Sequence, residues 1–465
     1  MFENFGKHIA DIADVVCSYP LFFLLIGGGL YLFISSGAVS IRRLPASIRE
    51  LRSKQGHGQH GQISSTQALL SVVAATIGLG NIAGVAIALV VGGPGAIFWM
   101  WVSALVGMAT KYHEGALAVM YKGKDDQGNP RGGTMHIIEQ GLGRKWTPLA
   151  RFFAIAGMFG TLCIMNANQL TEAFMTTFTT PESVEASSFL SAVGSAVSLS
   201  NAQAYRLLFG CAVAVVVSLV IFGGIKRIAN VASVLVPFMV GVYFLMVLYI
   251  ILTNLHAVPS VFARIFSEAF NLQAGFGAFA GIAIIGARRA ALVNDAGIGT
   301  ATIMHGSSRN NNPVREGLVA MLGPAIDSGL VCTLTAVAIL LCGNIDVEGV
   351  KGLEVAMRAF GNAIPGGTYM LMFIVICFAL SSMFSYSYYG TSCATYLFGA
   401  RRGRWFTYFF VATLVIFAIV PLEAAVGMCD LFYALMAIPT MISVILLSGR
   451  VRKATRDFFT NRPKR

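Results

Sequence analysis

Long apolar stretches alternate along this chain with short polar connectors. A helix needs about twenty apolar residues to cross the hydrocarbon layer of a bilayer, and stretches of that kind recur about eleven times. A preliminary one runs from about Cys17 to Gly37. Ten more follow, numbered here as segments one to ten. They cover about Ser64 to Val91, Ala96 to Met120, Leu149 to Phe178, Tyr205 to Phe222 and Val231 to Leu255. The second five cover about Phe276 to Met304, Gly317 to Leu341, Thr368 to Phe398, Trp405 to Leu422 and Ala425 to Ser448. The pattern predicts an all-α membrane protein with about eleven transmembrane helices.

The connectors sharpen that reading, because Lys and Arg are retained on the cytoplasmic side during insertion. With the N-terminus outside, the inner connectors hold Arg42, Arg43, Arg49, Arg52 and Lys54, then Lys122, Lys124, Arg131, Arg144 and Lys145. Lys226 and Arg227, Arg309 and Arg315, Arg401, Arg402 and Arg404, and the basic tail Arg450 to Arg465 continue the series. The outer connectors keep only Lys7, Arg264, Lys351 and Arg358, and the one from Thr179 to Ala204 has no basic residue. This predicts a multi-pass protein of a bacterial inner membrane with a cytoplasmic C-terminus. The first apolar run lacks a small-residue cleavage site and is followed by arginines, so it reads as a retained span rather than a signal peptide.

Composition agrees and removes rivals. A chain that is 56% hydrophobic and only 12% charged, with a mean hydropathy of +0.72, is not a soluble globular domain. A net charge of +12 would suit nucleic acid, but the basic residues sit between apolar runs, so topology accounts for them and no nucleic-acid partner is expected. The cysteines lie mostly inside apolar runs without CxxC spacing, which implies neither a disulfide framework nor a zinc site. His57 and His60 belong to a polar loop, HGQHGQ, that reads as solvated rather than metal-binding. There is no nucleotide-binding loop or catalytic triad, so no enzyme and no cofactor is predicted.

Two stretches interrupt the apolar pattern at mid-membrane. Segment one contains Ala75-Thr76-Ile77-Gly78-Leu79-Gly80-Asn81, and segment six contains Asn294-Asp295-Ala296-Gly297-Ile298-Gly299-Thr300. Each is a GxG break flanked by polar side chains. Glycine lets the backbone leave the helix and frees N–H and C=O groups that hydrocarbon cannot satisfy, so such a break survives only where it lines a site. The competing reading is close helix packing by small residues. Against it stands the position of the breaks: each opens a run of five segments, and because five is odd, the second run inserts upside down relative to the first. That is the inverted repeat of many secondary transporters. It divides the chain into residues 1–63, an additional helix with an amphipathic linker; 64–255, the first repeat; 256–448, the second; and 449–465, a basic tail. Half-helix N-termini would present N–H groups to a carboxylate, and unwound carbonyls would coordinate a cation or an ammonium group. A zwitterionic amino acid with sodium fits both.

Polar residues inside the membrane are costly and default to function, or join helices. Ser381 and Ser382 of segment eight would complete a hard-cation site with carbonyls of segment one, or bond back to their own helix. Asn166, Asn168 and Gln169 of segment three and Asp327 of segment seven are candidates for either role. Arg288 and Arg289 lie one to two turns outside the segment-six break, placed to close an outer gate on Asp430 or to line a wet vestibule. Lys111 and Glu114 read as an i,i+3 pair at the membrane interface.

Several unusual stretches, in order, resemble the alanine or glycine:cation symporters, also called sodium:alanine symporters. They are GLGNIAGVA at Gly78 to Ala86, GGPGAIFWMW at Gly92 to Trp101, GMATKYHE at Gly107 to Glu114 and NDAGIG at Asn294 to Gly299. The segment Pro313 to Thr333 ending in VCT, SYYG and YLFG in and after segment eight, and LMAIP in segment ten extend the likeness to nearly the whole chain. The resemblance implies the leucine-transporter-type 5+5 inverted repeat with one additional N-terminal helix. It implies that the N–H groups of Leu79 and Gly80 receive a substrate carboxylate, while the carbonyls of Thr76, Leu292, Val293 and Asp295 face its ammonium. It further implies a sodium ion between the carbonyls of Ala74 and Ile77 and the residues Phe378, Ser381 and Ser382, with a second ion near Asn81. The chain departs from the family's pattern at Leu292-Val293-Asn294-Asp295, where an aromatic-serine-asparagine-glutamate run is usual, which implies a smaller, drier wall and a shortened carboxylate. Thr391-Ser392 replace a charged pair, and Tyr433-Ala434 replace Asn-Gly.

The expected function is sodium-coupled symport of a small neutral amino acid by alternating access. The partners are the amino acid, sodium and the lipid bilayer, and no oligomer is indicated. The alternatives are proton coupling through Asp295 or Asp327, a different amino acid such as glutamine or serine, and a channel or transporter-like sensor.

Overall fold

The computed structural model describes residues 19–52, 62–124, 128, 130–270, 276–342, 352–420 and 422–460. Lys7, Lys54, Lys351, the His57 and His60 loop and Cys17, the expected start of the preliminary stretch, lie outside the described residues.

Helices form where the apolar stretches predict them, and their ends have local causes. Segment one starts at a capping box: the Ser64 hydroxyl accepts the Gln67 N–H at 3.1 Å and the Gln67 side chain accepts the Ser64 N–H at 2.9 Å. It runs Ser65–Thr76, breaks, and resumes over Gly80–Gly92, the two halves bent by 57°. Segment two is unbroken over Gly95–Met120. Segment three is one span as expected, Arg144–Phe178, kinked between Thr147–Gly160 and Ile164–Phe178 where Cys163 takes a left-handed φ of 54°. Segments four and five are Asn201–Ile221 and Gly224–Thr253. Segment six is Phe276–Val293 and Thr300–Gly306 with a gap between. Segment seven extends over Pro313–Cys342, eight over Gly367–Gly403, nine over Phe406–Ile419 and ten over Leu422–Thr460.

Six of these helices are long and apolar enough to cross a membrane, and the bent pair of segment one makes a seventh. The chain is therefore an integral membrane protein. The preliminary helix, Pro20–Ser35, and segment nine are apolar but shorter, and segments two and six are helical without meeting that measure. Helices also occupy connectors. The stretch from Thr179 to Ala204, expected as a loop, holds Pro181–Glu185 and Ser188–Val197, started by side-chain caps from Thr180 and Ser187. Val258–Ala269 and Leu353–Ala363 lie before segments six and eight.

Segment two packs against the preliminary helix and segments six, seven and ten, and segment one packs against five and eight. Segments four, five and nine turn large apolar side chains outward, among them Val215, Leu219, Val234, Leu245, Leu252 and Ile416. Such a surface is stable against lipid, not water.

Candidate functional site

The break in segment one is short. The helix stops at Thr76, and Ile77 takes an extended conformation, φ −71° and ψ 94°. Asn81, fully buried, turns back so that its side-chain oxygen accepts the Gly78 N–H at 2.9 Å, and its amide donates to the Asp327 carboxylate. Carbonyls left free by the stop are met by hydroxyls of segment eight. Ser381 donates to the Ala74 carbonyl at 2.9 Å, and Ser382 to those of Ala75 at 2.9 Å and Ala74 at 3.3 Å. The same two hydroxyls lie 2.9 and 3.1 Å from the Phe378 carbonyl. Carbonyl and hydroxyl oxygens gathered without a formal charge are the donor set a hard monovalent cation takes.

The break in segment six is wider, Asn294 to Gly299. Asp295, Gly297 and Gly299 all have positive φ, 51°, 90° and 92°. Glycine adopts that conformation freely and aspartate tolerates it, whereas a β-branched residue there is strained. The opened backbone is framed by other helices. Gly297 N–H donates to Glu114 of segment two at 3.1 Å, and the Thr440 hydroxyl donates to the Ile298 carbonyl at 3.0 Å. Asn294 holds the Ala296 N–H at 3.0 Å and donates to the Ser328 hydroxyl at 3.2 Å. The Asp295 carboxylate accepts the hydroxyl of Tyr386 and, at 3.3 Å, that of Thr300; Tyr433 donates in turn to the Tyr386 oxygen at 2.7 Å.

Both breaks reach one cavity of about 930 Å³. Thr76, Gly78, Gly80, Leu292, Val293, Asp295 and Ser382 line it, as do the gate candidates Arg289 and Asp430. Leu79, Ala74, Ile77, Phe378 and Ser381 are not part of that lining, and Ser381 is tied to Ala74 as above.

Other candidate residues lie outside the cavity lining. Asn168 does not line the cavity: its amide donates to the carbonyls of Val420 at 2.5 Å and Phe417 at 3.4 Å, left open where segment nine ends at Ile419. Its neighbours Asn166 and Gln169 do line it. Gly297 faces away, toward Leu25 and Met441, and Gly299 is hemmed in by Thr134, Thr440 and Phe153. Asn81 holds the break from behind and is absent from the lining, as is Arg288. Lys111 and Glu114 are an i,i+3 pair, 3.8 Å apart, but they are 1% and 0% exposed, interior rather than interfacial, because this part of segment two is packed on all sides. The sequence marks Tyr433 only as a departure from the family's pattern and does not single out Tyr386. Tyr386 follows Ser382 by one helical turn on the same face, and that spacing was the available signal.

Outside the cavity lining, the start of segment one meets the end of segment six. Ile63 and Ser308 form an isolated bridge, with Gln62 N–H to the Ser307 carbonyl at 3.0 Å and Arg309 N–H to the Ile63 carbonyl at 2.8 Å. Beneath it Ser65 donates to Glu316, whose other oxygen lies 2.6 Å from His305 Nδ1, all three fully buried. Lys122 donates to the carbonyls of Ser308 and Asn310, both at 2.7 Å.

Comparison with known proteins gives this arrangement a context. The sodium:alanine symporter family matches residues 2–465. The chain is similar to the sodium/alanine symporter AgcS of Methanococcus maripaludis, 37% identical over 465 residues, covering 98% of this chain and 97% of that one. It is 32% identical over 466 residues to the amino-acid carrier protein AlsT of Bacillus subtilis, covering 99% and 94%. It is 30% identical over 459 residues to the probable sodium/glutamine symporter GlnT of the same organism, covering 97% and 90%. A crystal structure of MhsT in complex with L-phenylalanine aligns with a TM-score of 0.49 at 14% identity, covering 84% of this chain and 100% of that one.

Proposed function

This chain belongs to the sodium:alanine symporter family, transporters rather than enzymes, and from that premise we propose that it couples movement of a small neutral amino acid, alanine- or glycine-like, to sodium by alternating access. In this reading the apolar segments are eleven membrane helices, a preliminary one followed by two inverted five-helix repeats of the leucine-transporter type. The N-terminus is outside and the C-terminus cytoplasmic in a bacterial inner membrane. The cavity mouth, with Glu172, Thr177 and Arg358, then faces outward, and the bridge between Ile63 and Ser308 seals the cytoplasmic end.

The substrate carboxylate sits at the N–H groups of Leu79 and Gly80, and its ammonium at the carbonyls of Thr76, Leu292, Val293 and Asp295. Sodium sits among Ala74, Ile77, Phe378, Ser381 and Ser382, with a second ion near Asn81. A serine hydroxyl that donates to a carbonyl can also rotate and offer its lone pairs to an ion, so the hydrogen bonds from Ser381 and Ser382 are exchangeable for ion contacts. Closure of Arg289 over Asp430 would cover both bound species.

The observation that carries this reading is the meeting of both breaks at one cavity, beside a pair of hydroxyls already aimed at the freed carbonyls. The test is uptake of labelled alanine, glycine, serine and glutamine by proteoliposomes, with an inward sodium gradient or an inward proton gradient. Concentrative, sodium-dependent uptake of alanine or glycine is expected. Accumulation driven by the proton gradient without sodium would replace the ion, preference for glutamine would replace the substrate, and non-saturating flux that never concentrates would make it a channel.

A further inference from the structure

The glycines beyond the first break leave room that helix packing does not need. Gly78 is hemmed in, since a Cβ there would come within 2.9 Å of the Ser382 oxygen. Gly80 and Gly84 differ. Leaving aside segment one's own chain, a Cβ at either position would meet one described atom within 4 Å, the same Val293 γ-methyl, at 3.5 and 3.6 Å. Those are ordinary contacts, so alanine would fit at both positions, and close approach of two helices is not what calls for glycine here. Both glycines line the cavity, and so do Val293 and Leu292. Four residues apart on a helical turn, they share a face of segment one and make the floor of a shallow depression whose wall is Val293.

Valine suits a fixed wall. Val293 is the last residue of the helix Phe276–Val293, directly before the segment-six backbone opens. A β-branched side chain in a helix keeps one preferred χ1 rotamer, so its methyls do not swing aside as a longer, unbranched side chain would. In the site assigned above, the substrate carboxylate lies on the N–H groups of Leu79 and Gly80 and the ammonium on carbonyls that include those of Leu292 and Val293. An amino acid held at both ends in this way spans floor and wall. Its α-carbon stands over Gly80, and whatever group it carries shares that space with the Val293 methyl.

We propose that the Val293 side chain sets the size of amino acid that the protein accepts, and that the accepted class carries a hydrogen or a methyl at the α-carbon rather than a longer chain. This rests on the substrate placement above. A methyl group gains apolar contact with Val293 over the glycine floor. Each further methylene must push the valine aside or leave the depression. In a close-fitting apolar site, one methylene more or less changes affinity by about tenfold or more.

The test ranks ligands by size. Labelled alanine is bound at equilibrium to the purified full-length protein in sodium and displaced by glycine, α-aminobutyrate, norvaline or glutamine. The unmutated protein should hold alanine at least about tenfold more tightly than norvaline. Val293→Ala lowers the wall and should shrink that gap about tenfold, while Val293→Ile should weaken alanine relative to glycine by a similar factor. Val293→Thr keeps the branched shape and should keep the order of the ligands. A residue that only supports the fold would shift every competitor together, so a uniform shift overturns the proposal. A ranking changed by Val293→Thr as much as by Val293→Ala also overturns it, because polarity and not bulk would then decide. Should Val293→Ala fail to fold, Val293→Ile decides alone: alanine unmoved relative to glycine refutes the wall. An unmutated protein that prefers norvaline or glutamine to alanine refutes the size class. If it binds none of the panel, the substrate reading above fails and this inference with it. If it binds alanine and the variants leave the ranking in place, the role of Val293 fails alone.

Discussion

The two breaks solve the same problem, bare peptide groups inside a membrane, by opposite means. In segment one the freed carbonyls of Ala74 and Ala75 are met by neutral serine hydroxyls, each of which can rotate and accept instead of donate. In segment six a fixed frame meets the backbone. Glu114 holds Gly297, Thr440 holds Ile298, and Tyr386 and Thr300 hold the Asp295 carboxylate. A net hydrogen bond between neutral groups is worth about 1 kcal/mol, whereas bonds to a charged group are worth about 1.5–3 kcal/mol, so the first arrangement is cheaply exchanged for an ion and the second is not. The first break reads as the part that binds and releases, the second as the wall it works against.

The largest expected effect comes from filling the first break. Gly80 lines the cavity, and a single methyl there would sit 3.5 Å from the Val293 side chain, in ordinary contact, while a larger group must enter the cavity itself. Gly80→Leu should therefore leave the protein folded, with little change in melting temperature, and reduce amino-acid binding by about a hundredfold or more, the cost of occluding a site from which peptide N–H groups cannot retreat. Equilibrium binding of labelled alanine beside a thermal melt checks it. Retained binding would place the substrate elsewhere.

Next in size is loss of the exchangeable hydroxyls. Ser382→Ala removes the hydroxyl that donates to the Ala75 and Ala74 carbonyls and, with it, a proposed oxygen ligand of sodium. Sodium-dependent uptake should need roughly ten times more sodium, with a stability loss of only about 1 kcal/mol. If the same substitution cost stability and left sodium dependence alone, the hydroxyl would be helix glue and the comparison would fail on its first side.

Tyr386→Phe probes the second side and should do less. The tyrosine donates to Asp295 and accepts from Tyr433, and without its hydroxyl the carboxylate keeps Thr300 alone. Because the wall remains in place, substrate affinity should fall about three- to tenfold and sodium dependence should hold, consistent with removal of one hydrogen bond to a charged group. A large shift in sodium dependence would show that both breaks contribute to the ion site.

These residues also mark how far the sequence could be read. The helices were legible because lipid demands long apolar runs, and the breaks because glycine pairs beside polar side chains are expensive there. Ser381 and Ser382 were legible for the same reason. Tyr386 was not, since its ring belongs in an apolar run and only its hydroxyl, aimed at Asp295, gives it a role. Glu114 and Lys111 were misplaced because distance along a segment stood in for depth, while the surrounding helices bury that part of segment two completely. In segment three, Asn166 and Gln169 are three apart and share a face, whereas Asn168, about 100° from Gln169 around the helix, meets segment nine instead. Composition shows that polar groups are present; only the rotation of the helix shows which one faces the cavity.

Asn168 gives the smallest predicted effect and so the finest test of that distinction. Its amide satisfies carbonyls of Val420 and Phe417 that the end of segment nine leaves open, and it makes no part of the cavity. Asn168→Ala should destabilise the protein by about 1–2 kcal/mol, the cost of buried carbonyls losing their donor, seen as a lower melting temperature. Half-saturating concentrations of alanine and sodium should stay within about twofold, because the change lies outside both breaks. The paired variant Asn166→Ala, on the cavity face, should behave the other way, with little change in melting and a measurable loss of amino-acid affinity. If Asn168→Ala instead weakened substrate binding while the melt was unchanged, segment nine would have to move with the substrate. The frame assigned to the second break would then extend to the helix that Asn168 anchors.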